Sequence, residues 1–160
     1  MRKARCLPVG ARKFLGYCIG IKGWLRIAPQ SLERIKDKIR AITKRNRGQS
    51  LKEVIRELNT ILPGWMRYFK YAACESIIKE LDGWIRHKLR CYKLKQLKRA
   101  KTIAAMLIQH GTAEASAWKV ANSGKGWWRL SLTSQTHRAM GIGWWRLNGF
   151  ISLCDIFESL

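Results

Sequence analysis

The chain has 160 residues, 32 Lys and Arg against 10 Asp and Glu, a formal net charge of +22 and a hydrophobic share of 47%. That length suits one domain or two small modules sharing a core, and the hydrophobic share is too high for a disordered basic tail. No run of about 18 uncharged apolar residues is present to span a bilayer, and the basic start MRKARCLPVGARK lacks the apolar stretch of a signal peptide.

The excess charge is unevenly placed. Residues 1–101 hold 27 Lys and Arg and 7 Asp and Glu, whereas residues 102–160 hold 5 and 3. Self-repulsion of that size destabilises a folded domain unless a polyanion neutralises it, so the first two thirds are expected to meet a partner rich in phosphates. Eight Trp supply either a dense core or stacking surfaces for bases. Cys6, Cys18, Cys74, Cys91 and Cys154 are scattered, odd in number and form no CxxC pair. They show no zinc-ligand spacing with His87, His110 or His137. Reduced thiols, a cytoplasmic location and no metal or cofactor are the expectation.

Residues 14–20 and 24–28 are short, aromatic and β-branched, and Ile21-Lys22-Gly23 between them predicts the turn of a β-hairpin. Pro29 ends the second strand. With Ser31 as N-cap, Leu32, Ile35, Ile39 and Ile42 then predict an amphipathic helix running to about Arg47-Gly48. Ser50-Leu51-Lys52-Glu53 is a capping box, followed by an apolar stripe of Leu51, Val54, Ile55 and Leu58. Pro63-Gly64 is expected to interrupt or kink that helix before Trp65, Tyr68 and Phe69. A third helix spans about Ser76 to Lys93, with Ile78, Leu81, Ile85, Leu89 and Tyr92 on one face. Ile103 to Ile108 form a fourth apolar run, capped by Gly111. Residues 14–95 thus read as one helical bundle carrying a hairpin. Beyond Gly111 the pattern weakens to short helices and loops, in which Gly124–Leu130 and Gly141–Leu147 repeat a Trp-Trp-Arg-Leu unit. The fold class is therefore mainly α, with an N-terminal β-hairpin, a helical bundle and a small helical or irregular C-terminal element.

Groups for catalysis are scarce. The three Asp (Asp37, Asp82, Asp155) are far apart, so no acidic pair exists to hold two divalent ions. There is no P-loop, dinucleotide-binding Gly pattern or Gly-x-Ser-x-Gly. His87 lies inside a basic helix and reads as a phosphate contact, and no catalytic residue is assigned. Binding is better supported. On the third helix Arg86, Arg90 and Lys93 sit at i, i+4 and i+7, opposite the apolar face, which predicts a row of positive charge. Arg34, Lys38 and Arg45 predict a second stripe on the first helix. Lys95, Lys98, Arg99 and Lys101 follow without an intervening acid. A surface meeting about 6–10 phosphates would lose affinity steeply with salt. Trp65, Tyr68, Phe69 and Trp84 fall at helical spacing and read as core. Adjacent Trp127 and Trp128, like Trp144 and Trp145, cannot both face inward, which leaves one of each pair for stacking; Trp128 and Arg129 complete the candidate set.

Phe14-Leu15-Gly16-Tyr17 and Ile27-Ala28-Pro29, followed by a basic helix, resemble the end of the palm of a group II intron reverse transcriptase. Leu58-Asn59, Gly64-Trp65 and Tyr68-Phe69 are similar to the thumb of that family. Leu81-Asp82, Trp84-Ile85-Arg86, Leu89-Arg90, Lys95-Gln96, Lys98-Arg99 and Lys101-Thr102 resemble its maturase-specific domain. Gly126-Trp127-Trp128-Arg129 resembles the distal Gly-x-Trp-Arg element. The likeness covers about residues 12–152. It implies a palm-end hairpin remnant over 1–29, thumb-like helices over 30–75 and a maturase-specific domain over 76–155.

In that family this part grips intron RNA and assists its folding and splicing, while upstream fingers and palm copy RNA into DNA. The Tyr-Ala-Asp-Asp motif of the palm is absent here, and no HNH or Cys-rich nuclease follows. Polymerase and nuclease activities therefore do not carry over, and the isolated hairpin implies a split, truncated or degenerate reading frame. The expectation is an RNA-binding maturase module, not an enzyme on its own, with structured group II intron RNA as partner. The alternative is the C-terminal half of a split RNA-directed DNA polymerase, active only with a separate fingers-palm chain. A membrane-surface role is disfavoured because no long one-sided amphipathic helix lies at a terminus.

Overall fold

The computed structural model describes residues 13–19, 25–72 and 74–160. The chain runs β1 (Lys13–Phe14), β2 (Tyr17–Ile19), β3 (Leu25–Ile27), α1 (Pro29–Ile42), α2 (Leu51–Tyr68), α3 (Glu75–Leu97), α4 (Ala100–Gln109), α5 (Glu114–Ala121), α6 (Trp127–Leu130), α7 (Ser134–Ala139), α8 (Ile142–Leu147) and α9 (Leu153–Glu158). The expected class, mainly helical with an N-terminal antiparallel hairpin, is what is seen.

The hairpin carries an extra fold. β2 and β3 pair antiparallel, Cys18 opposite Arg26, as expected, although the connecting turn at 20–24 lies outside the described residues. Residues 14–20 are not one strand, however. β1 turns back at Leu15-Gly16 and pairs Phe14 with Tyr17. Both turn residues have positive φ, 48° and 82°, the requirement of a two-residue type I′ connection. A Cβ on Gly16 would lie 2.9 Å from Ser31 Oγ, so glycine is demanded by space as well as by φ. Gly16 O accepts the Ala28 N–H at 2.9 Å and the Ser31 hydroxyl at 3.1 Å.

Those bonds correct the expected start of α1. Ser31 is inside the helix and bonds to the turn; the N-cap is Ala28, with Pro29 at the first helical position. Proline suits that place because its φ is preset and its missing N–H would have no helical partner. α1 also ends earlier than expected, at Ile42, where Thr43 bonds back to Ile39 O through its hydroxyl at 2.7 Å. Residues 43–50 form a loop turned by Gly48 at φ 71°.

The capping box is present: Glu53 N–H donates to Ser50 Oγ and Ser50 N–H to Glu53 Oε2. Pro63 does not break α2, which continues to Tyr68. The helix forgoes one backbone bond there, while Leu62 and Met66 on the same face are fully buried. α4 ends in a Schellman motif, Thr112 N–H to Leu107 O and Gly111 N–H to Ile108 O, both 3.0 Å, with Gly111 at φ 83°.

One apolar core runs from Ile27 to Ile156 and joins all the long helices. α9 lies across both α2 and α3, and α6 covers the other side of α3. Polar side chains fasten these late segments. Asn59 on α2 donates to Gly149 O at 2.7 Å and accepts from Ile151 N–H at 3.1 Å. Asp82 on α3, wholly buried, accepts Leu153 N–H at 2.9 Å and pairs with Arg86. The two Trp-Trp-Arg-Leu units are not structural equivalents. The first begins α6 and buries Leu130; the second ends α8, buries Trp145 and leaves Leu147 90% exposed.

Candidate nucleic-acid interface

The α1–α2 loop folds over the C-terminal half of α3 because three α3 side chains hold its carbonyls. Lys95 Nζ donates to Arg45 O at 3.0 Å, and Tyr92 Oη and Gln96 Nε2 donate to Gln49 O at 2.8 and 3.0 Å. From the loop's own side, Arg47 bonds to Ile42 O and to the Glu57 carboxylate. Two adjoining clefts result. The first, about 530 Å³, is lined by Arg40, Thr43, Lys44, Arg45, Asn46, Lys88, Lys95 and Trp127. The second, about 460 Å³, shares Arg45, Asn46 and Lys95 and continues past Gln49 and Tyr92 to Lys98.

This trough is cationic, and of its six lining cations only Arg40 is paired with carboxylates. No Asp or Glu lines either cleft, and the undescribed residues include no Asp or Glu. Six of the ten carboxylates are ion-paired: Glu33 and Asp37 with Arg40 at the edge of the first cleft, and, away from the trough lining, Glu57 with Arg47, Glu75 with Lys79, Asp82 with Arg86 and Asp155 with Arg146. The other lining cations, Lys44, Arg45, Lys88, Lys95 and Lys98, have no carboxylate partner among the described residues. Lys88 is half-buried, its ammonium 5.3 Å from the Trp84 ring centre and 5.2 Å from that of Trp128. Burial lowers its pKa below the ordinary lysine value, and Arg40 and Arg45 push it the same way. Indole faces attract the cation but leave its charge un-neutralised.

Lys98 closes the trough where α3 meets α4. It sits at φ 55°, ψ −56°, with Arg99 N–H donating back to Leu97 O at 2.6 Å. That is a γ-turn of the rare, strained hand, at a residue with a side chain. Arg99 and Lys101 are exposed at the same joint.

The sequence-derived candidates separate on this geometry. Arg45, Lys95 and Lys98 come together in the trough. Arg45 does not share a stripe with Arg34 and Lys38, because α1 ends before it. Those two are exposed and line another cleft, about 410 Å³, beside Trp65, Tyr68 and the Leu15-Gly16 turn. Trp65 is half-buried there and Tyr68 is 50% exposed, so the expected aromatic core is only partly core.

The expected row of Arg86, Arg90 and Lys93 is not a solvent face. Arg90 is 5% exposed and donates from Nε to Ser131 O at 3.0 Å. Burial, with Arg86 adding, lowers its pKa to about 10, which leaves it charged at neutral pH. Arg86 is occupied by Asp82, and Lys93 is half-buried. His87 is likewise no phosphate contact: it is 7% exposed and donates from Nε2 to Trp128 O at 3.1 Å. The cause is α6, which covers the face of α3 that the helical pattern left open.

Trp128 is 44% exposed and its ring packs on His87 at 3.7 Å, whereas Trp127, half-buried against the core, is the tryptophan that lines the first cleft. Arg129 is exposed on α6. Lys44, Asn46 and Lys88 are not among the sequence-derived candidates, and of the Trp127–Trp128 pair the sequence singles out Trp128 rather than Trp127. Only Lys88 carried a signal, at i+4 from Trp84 on one helix face. Among the described residues no cluster of three His, Cys, Asp or Glu is arranged to hold a metal ion, and no helix is long and apolar enough to cross a membrane.

Residues 32–108 match the model of the group II intron maturase-specific domain. No curated protein matches the chain. The maturase-specific match runs from within α1 almost to the end of α4, and so takes in every trough residue except Trp127. The hairpin, α5–α9 and the distal Gly-x-Trp-Arg unit lie outside it. Within the maturase-specific stretch, Asn59, Asp82 and Arg90 act as internal fasteners, each holding backbone from beyond the matched region.

Proposed function

We propose that this chain is an RNA-binding maturase module that grips group II intron RNA along the trough between the α1–α2 loop and α3. The observation that carries this reading is the set of five cations without carboxylate partners, all within the stretch that matches the maturase-specific domain. Such cations bind phosphates by releasing condensed counterions. The half-buried Lys88 and Lys95 fix the register of the RNA, and exposed Lys44, Arg45 and Lys98 add affinity at the rim. Neutralising intron phosphates lets helices that repel one another pack, and the folded RNA then performs its own transesterification. On this reading the protein supplies no catalytic group.

The test compares binding to a group II intron and to an unrelated RNA of equal length, across salt. Tighter binding to the intron together with faster intron self-splicing supports the reading. Equal affinities with identical salt slopes reduce it to generic polyanion binding. The exposed Leu25 and Arg26 on β3 favour a second reading, in which a separate palm-bearing chain extends this sheet and restores RNA-directed DNA synthesis. Failure of the two chains to co-purify would exclude it.

A further inference from the structure

We propose that the trough takes an unpaired RNA strand, with one base stacked on Trp127 in the first cleft and the following phosphates on Arg45, Lys95 and Lys98. This rests on the RNA-binding reading above and specifies which form of RNA the site accepts.

Three observations carry it. First, the two clefts are concave, are each of nucleotide scale, and meet at Arg45 and Lys95, so a strand crosses from one to the other over a cationic saddle. Second, Lys88 and Lys95 are half-buried. A duplex is a stiff rod with its phosphates on a convex surface; it reaches rim cations such as Lys44 and Lys98 but not recessed ones. A single strand bends at every nucleotide and delivers phosphates into a recess.

Third, the lining mixes charge with groups suited to a base. Trp127 offers an indole, and the Asn46 side chain makes no hydrogen bond among the described residues. Gln49 directs its Nε2 to Glu57, and its Oε1 is buried without a donor among the described residues. Of the two amides it is the exposed Asn46, lining both clefts, that is free to meet the donors and acceptors of a base edge. A surface serving duplex phosphates alone has no use for these groups.

The test measures binding by fluorescence anisotropy with the full chain and three probes of one sequence: a 12-nucleotide RNA strand, its 12-base-pair duplex, and the strand with abasic sites at its central positions. The strand is expected to bind at least about tenfold more tightly than the duplex. Trp127→Ala should weaken strand binding about tenfold while leaving the duplex and abasic probes within about twofold. Trp127→Phe, which keeps an aromatic face and the helix packing, should restore most of the loss and guards against misfolding of the alanine variant. Duplex affinity equal to strand affinity, or Trp127→Ala weakening all three probes alike, overturns the inference while leaving RNA binding intact. Absence of binding to every probe overturns both readings.

Discussion

Replacing Asp82 with alanine should destabilise the protein by about 3 kcal/mol. The carboxylate is wholly buried; one oxygen accepts Leu153 N–H at 2.9 Å and the other pairs with Arg86, itself one-fifth exposed. Removing one member of a buried pair typically costs about 3–5 kcal/mol, and partial hydration of Arg86 places this case at the low end. For a chain of this size that corresponds to a melting point lower by about 6–12 °C. Circular dichroism at 222 nm would give the shift, and amide exchange would locate it. Because Asp82 and Asn59 both hold residues 149–153, the Leu153 and Ile151 amides should exchange faster in the variant. Asp82→Ala combined with Asn59→Ala should fall short of additivity. A melting shift under about 2 °C, or exchange unchanged at the C-terminal segment, would refute the assignment of Asp82 as the fastener of α9.

Lys98→Gly should raise stability by about 1 kcal/mol, since glycine relieves a γ-turn at φ 55° whose strain exceeds the added freedom of the unfolded chain. The same change should weaken RNA binding and lower the salt slope by about one; higher stability with unaltered binding would place Lys98 outside the interface. His87 is held below its ordinary pKa by burial, with Arg90 and Lys88 adding to the effect and the bond to Trp128 O opposing it. The unfolded chain therefore takes up the proton first, so stability is complete above about pH 6.5 and falls as pH drops below that value. Burial of His137, near Arg90, His87 and Arg86, adds a loss of the same sign. Urea midpoints at pH 7.5 and 5.5 should differ less in His87→Gln than in the wild type, and parallel profiles would refute the assignment.

The helices of the first two thirds were legible because their apolar spacing and capping signals are local. Ser50 and Glu53 lie three residues apart, and the stripe from Leu51 to Leu58 reports the face that is buried. Sequence pattern and structure differ wherever a partner distant in sequence decides. Arg90 and His87 read as solvent-facing because the elements that cover them, Trp128 and Ser131, come about forty residues later. Leu15-Gly16 reads as part of a strand because leucine at positive φ gives no local signal; Tyr68 Oη, Ser31 and Ala28 hold the turn from outside. The trough was half legible. Arg45, Lys95 and Lys98 appeared as charge, but their convergence depends on where α1 stops and on three α3 side chains binding loop carbonyls.

Affinity for a group II intron RNA, measured from about 50 to 200 mM salt, tests the trough most directly in the wild type and in the Arg45→Gln/Lys88→Gln/Lys95→Gln variant. Glutamine removes charge while keeping donors for the loop carbonyls. The slope of log affinity against log salt should become shallower by about two, and affinity at low salt should fall at least tenfold, with the melting point within a few degrees of wild type. An unchanged slope in a folded variant would show that the RNA is held elsewhere and that the trough is only a hydrated basic surface.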